Sequence, residues 1–142
     1  MKPKTILILV VVLLVAAVLV GRISARKAAS DYGRTFKQAF SMVGLSGFAD
    51  TPKLREFLAS PEMSAPRSRL EALSFLGGGY RARADELQRG MIYLSEQMAL
   101  APAQRFSTPP AFSHLSLTST DRTDGGIAAA ATSLVASYES QL

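Results

Sequence analysis

Between Ile6 and Val20 the chain carries fifteen consecutive residues without a single charged or hydrogen-bonding side chain. At ~1.5 Å per residue the run covers ~22 Å of a hydrocarbon core ~30 Å thick, so a crossing helix needs help at both ends. Thr5 and Gly21 are tolerated in lipid, and Lys2, Lys4, Arg22, Arg26 and Lys27 can extend their stems to place their charges among the headgroups. The expectation is a short tail and transmembrane helix over residues 1–21, with those five basic residues touching the membrane surface. A cleaved signal peptide begins in the same way. The pair Ile23 and Ala25, crowded by Arg22, Arg26 and Lys27, fits a cleavage site poorly, which favours a retained single-pass anchor.

The net charge of +5 is unevenly spread. Arg22, Arg26, Lys27, Arg34 and Lys37 follow the apolar run, with Asp31 the only acid among them, against Lys2 and Lys4 on the other flank. Counting Lys and Arg beside the span favours the C-terminal part on the cytoplasmic side. A nucleic-acid role is not expected, because beyond residue 50 the arginines are balanced by acids and the surplus sits where lipid headgroups compete for it.

The remainder reads as mainly α. Tyr32, Phe36, Phe40 and Val43 recur at helical spacing and predict a basic amphipathic juxtamembrane helix over 22–43, broken by Gly44 and Gly47. A helical domain over 44–100 follows. Its first helix starts at Thr51 as cap, with Pro52 behind it and Leu54, Phe57 and Leu58 on the buried face. A second starts near residues 64–66 and carries Leu70, Leu73 and Leu76. A third runs over 80–100 with the seam Tyr80, Ala84, Leu87, Met91, Leu94, Met98. Residues 101–126, rich in Pro, Ser and Thr, predict an extended loop with a brief strand at 114–118. A C-terminal helix over 127–142 bears Ile127, Ala131, Leu134, Tyr138 and Leu142, with Asp124 as its cap. Tyr32, Phe36, Phe40, Leu87, Met91, Leu94 and Met98 are the residues expected to pack on a partner.

Chemistry finds little to work with. The chain has no cysteine, which excludes disulfides, thiolate metal sites and a Cys nucleophile. Gly77, Gly78 and Gly79 precede a helix bearing arginines but lack the Lys-Ser/Thr of a phosphate loop and the strand of a dinucleotide turn, so a turn between helices is expected. His114 is the only histidine and has no metal-ligand or triad neighbours in sequence. Asp121 and Asp124 lack the further oxygens of a calcium loop and read as turn and cap residues. Asp85, Glu86 and Glu96, mixed with Arg81, Arg83 and Arg89, read as a solvated face.

The sequence therefore leads to an expectation of a non-catalytic protein with no cofactor or metal. It is expected to be an accessory or structural subunit of a larger membrane assembly, such as an energy-transducing complex of a bacterial inner membrane. Its partners would be other membrane subunits and the lipid bilayer. The alternative is a free-standing anchored adaptor that binds a soluble partner or an anionic lipid surface.

Overall fold

The computed structural model describes every residue except 1, 49, 74, 76–78, 111, 113, 114, 116 and 118–120, and describes residues 39–48 by their backbone alone. Among the described residues five α-helices follow in order: α1 (Pro3–Phe48), α2 (Thr51–Leu58), α3 (Pro61–Ala72), α4 (Tyr80–Ala99) and α5 (Asp124–Ser140), with a 3₁₀ turn at Pro102–Gln104 before α5. No strand occurs among the described residues, and residues 114, 116 and 118 of the expected strand lie outside them.

Four boundaries differ from the sequence reading. Helix α1 runs unbroken for 46 residues, ~69 Å at helical rise, passing the expected break at Gly44 and ending at Phe48, one residue beyond Gly47. A glycine weakens a helix by only ~1 kcal/mol relative to Ala, so Gly44 alone does not stop α1. The cap of α2 is Asp50, whose carboxylate accepts from the Lys53 amide at 3.3 Å. The Thr51 hydroxyl instead bonds the Ser95 hydroxyl on α4 at 3.0 Å. Helix α3 starts at Pro61 behind an extended Ser60, five residues before Pro66, which lies inside the helix and is buried there. Its missing amide leaves one intrahelical bond unmade, a local loss the packed position tolerates. Helix α5 starts at Asp124 with Thr123 as cap, its hydroxyl accepting from the Gly126 amide at 3.0 Å.

Side-chain links fix how the helices run. Thr51 and Arg55 on α2 reach Ser95 and Glu96 in the C-terminal part of α4. Arg67 on α3 reaches Asp85 and Gln88 in its N-terminal half, so α3 runs antiparallel to α4. Arg83 donates to the Gln141 carbonyl at 3.1 Å and Arg105 pairs with Asp124 at 2.7 Å, so α5 is antiparallel to α4 as well. The Tyr32 hydroxyl donates to Gln88 at 3.3 Å, and α1 ends two residues before α2, giving it the sense of α4. One end of the bundle thus gathers the start of α1's buried stretch, the end of α3, the start of α4 and the end of α5.

The core forms where α1 meets α3, α4 and α5. Ala25, Ala28, Ala29, Tyr32 and Phe36 are buried, at the spacing of one helix face. Small residues there let α5 come close: a Cβ on Gly33 would lie 2.8 Å from Cε1 of Tyr138. That ring is held from its far end, its hydroxyl donating to the Ala29 carbonyl at 2.6 Å. Burial raises the Tyr138 phenol above its ordinary range, with Tyr32 adding to the rise and Arg67 and Arg83 opposing it, so the donor stays protonated at neutral pH. The seam of α4 (Ala84, Leu87, Met91, Leu94, Met98) and that of α5 (Ile127, Ala131, Leu134, Tyr138) close the same core.

Candidate functional site

The most conspicuous surface is the N-terminal half of α1. It is long and apolar enough to cross a membrane, and none of its most apolar 18-residue window is covered by the rest of the chain. From Ile6 to Ile23 its Ile, Leu and Val side chains lie open, and the first buried residue is Ala25. Residues 3–24 measure ~33 Å along the axis, close to the ~30 Å of a hydrocarbon core. The thirteen Ile, Leu and Val residues between Ile6 and Val20 together favour transfer into a bilayer by roughly 4–8 kcal/mol on an insertion scale. In water the same surface is a large apolar patch of the kind soluble monomers avoid.

Lys2 and Lys4 are exposed at one end of this shaft, and Arg22, Arg26 and Lys27 are exposed at the other, where the bundle begins. The residues expected to pack on a partner lie elsewhere. Tyr32, Phe36, Leu87, Met91, Leu94 and Met98 are buried against the chain's own helices, so their stripe is filled from within and is not presented at the surface. The side chain of Phe40 lies outside the described residues, as do His114, Gly77 and Gly78.

Polar groups inside the bundle depart from the sequence reading. Glu86 is buried, not solvated, and its carboxylate accepts from the Leu115 amide at 2.9 Å, pinning Leu115 to α4. Asp85 is half-buried beneath Arg67, and Glu96 is exposed and pairs with Arg55 at 3.1 Å. Arg67 also donates to Gln88 at 2.8 Å and lies 6.0 Å from the Tyr32 ring centre. This cluster borders an open groove of about 430 Å³ lined by Arg67, Asp85, Gln88, Arg89 and Ile92. The Arg67 guanidinium is already committed to a carboxylate, an amide oxygen and a ring, which suits a brace between α1, α3 and α4.

Arg105, in the segment read as a plain loop, is 4% exposed. Its guanidinium donates to the carbonyls of Gln97, Met98 and Leu100 at 3.0–3.1 Å and to that of Arg122 at 2.7 Å. It thus serves the Met98 and Leu100 carbonyls, adds a second donor to the Gln97 carbonyl that the Leu100 amide already reaches at 3.1 Å, and ties the end of α4 to the start of α5. Gln97 completes the corner by accepting from the Phe106 amide at 2.7 Å, where Phe106 takes a left-handed φ of 61°. Asp121 accepts from the Thr123 amide at 3.0 Å, a turn contact.

No group of three or more His, Asp or Glu side chains placed to hold a metal occurs among the described residues. What the geometry offers is an uncovered apolar shaft with basic ends, continuous through one helix with a bundle that closes its own core. No family model, no curated protein and no solved structure matches this chain.

Proposed function

We propose that this protein is a non-catalytic accessory subunit of a larger membrane assembly, crossing the bilayer once through the apolar half of α1 and holding its helical bundle as an extramembrane domain at the surface. The observation that carries the reading is the wholly uncovered apolar window of α1. Such a shaft gains nothing from the rest of the chain and must find lipid or other spans. The basic excess of Arg22, Arg26, Lys27, Arg34 and Lys37 over Lys2 and Lys4 supports a cytoplasmic bundle.

One observation favours the second reading, a free-standing anchored adaptor. The stripe of Leu87, Met91 and Leu94 is satisfied inside the chain, so these side chains do not call for a partner. Purification in mild detergent, followed by mass spectrometry of whatever stays bound, separates the two. A defined set of membrane subunits supports the accessory role, and a lone chain supports the adaptor. Either way the protein should stay in the pellet after high-salt and carbonate washing, because screening charge does not release an inserted apolar helix. Recovery in the wash would rule out the anchor.

A further inference from the structure

We infer that Phe75, between α3 and α4, is a second membrane contact that dips into the headgroup boundary of an anionic bilayer beside the basic base of the bundle. This rests on α1 being a transmembrane anchor. Outside α1, the exposed large apolar side chains among the described residues are Phe75, at 80%, and Leu100, at 40%. Leu100 lies at the far end of α4, whereas Phe75 precedes its near end.

Several links place the end of α3 and the start of α4, on either side of Phe75, at the level of the span's end. Arg69 pairs with Asp31 at 3.4 Å and Arg67 approaches Tyr32, and α3 then continues toward the start of α4. Tyr80 opens α4 eight residues before Gln88, the partner of Tyr32, which puts it ~12 Å nearer the span at helical rise. Eight residues before Tyr32 on α1 is Ser24, next to the exposed Ile23. The burial of Ala25 agrees, since the bundle must reach down to within a turn of the apolar shaft to cover it.

Charge complements that position. Arg22, Arg26 and Lys27 on α1 and Arg81 on α4 are exposed, and all belong to this end of the bundle. An aromatic side chain flanked by arginine and lysine is the combination that an anionic lipid interface binds, the ring entering the acyl boundary while the cations meet phosphates. A soluble acidic partner would match the charges but would leave an unsupported ring beside the bilayer.

The chain has no tryptophan, so Phe75→Trp and, separately, Leu13→Trp each give a single fluorophore in the full-length protein. Each is reconstituted into vesicles of neutral or partly anionic phospholipid, with brominated acyl chains as the membrane quencher and iodide as the aqueous one. The expected result is that the Phe75→Trp emission is blue-shifted, shielded from iodide and mostly lost to brominated lipid in anionic vesicles. Adding R26Q, K27Q and R81Q should restore much of the emission. Emission open to iodide and untouched by brominated lipid, while Leu13→Trp is quenched, would overturn the inference and leave the anchor standing. Shielding from both quenchers would overturn it too, by showing a protein cover such as a second copy. Quenching equal in neutral and anionic vesicles would overturn the role given to the arginines. If Leu13→Trp itself escapes brominated lipid, the anchor fails and the inference falls with it.

Discussion

Arg105→Met should lower the stability of the bundle by about 3 kcal/mol, the scale reached when several buried hydrogen bonds to one charged group are lost together. Methionine keeps the apolar stem, so the effect isolates the guanidinium. The carbonyls of Met98, Leu100 and Arg122 would lose this donor, and that of Gln97 would keep only the Leu100 amide. The ion pair with Asp124 adds little, because that carboxylate is 63% exposed and solvent screens it. Lysine should rescue poorly, since one ammonium cannot serve carbonyls on two sides as a planar fork does. Thermal melting followed by helical circular dichroism in mild detergent should show a fall of roughly 10 °C for a bundle of this size. Arg122→Met is the comparison: Arg122 is exposed, with one long bond of 3.4 Å to Ala103, and should change stability by no more than ~0.5 kcal/mol. Equal melting of both variants would show that Arg105 does not hold the α4–α5 corner.

Filling two glycines should move stability in opposite directions. A Cβ at Gly90 would lie 2.5 Å from Cδ2 of Leu134 and 3.1 Å from Cζ of Phe112. Leu134 is wholly buried, so its methyl cannot swing away without displacing other core atoms. Gly90→Val is therefore expected to cost about 3 kcal/mol by overpacking, far more than the ~1 kcal/mol by which glycine weakens a helix relative to Ala. At Gly125, in the first turn of α5, nothing lies within 4 Å of the place a Cβ would occupy. Gly125→Ala should raise stability by ~0.5 kcal/mol, through a smaller loss of backbone freedom on folding. Melting temperatures that shift in the same direction would contradict the close approach of α4 and α5 at Gly90.

The apolar run and the seams are legible in the sequence because they repeat: Leu87, Met91 and Leu94 on α4, and Ile127, Leu134 and Tyr138 on α5, are core residues at helical spacing. What covers them is not legible, because periodicity shows that a face is buried without showing by what. The lower stripe of α1 stays hidden for a related reason. Ala25, Ala28, Ala29 and Gly33 carry almost no hydrophobic signal, yet small side chains are what let α5 approach. Glu86 and Arg105 do not stand out because charged residues are usually exposed. For Arg105 a signal exists: a basic residue shortly after a helix end is well placed to bond its last carbonyls. Pro66 misplaces a helix boundary because local propensity, worth at most a few kcal/mol, yields to packing at this buried position.

If α1 crosses a bilayer once, it separates the N-terminal tail from the bundle. The absence of cysteine lets Lys2→Cys and Ser68→Cys, both at exposed positions, each supply the sole thiol in the chain. Sealed membranes are labelled with an impermeant maleimide before and after lysis. A single crossing requires that one thiol react from outside and the other only after lysis; the charge bias beside the span predicts that the Ser68→Cys thiol is the cytoplasmic one. Labelling of both from the same side of a sealed membrane would contradict it.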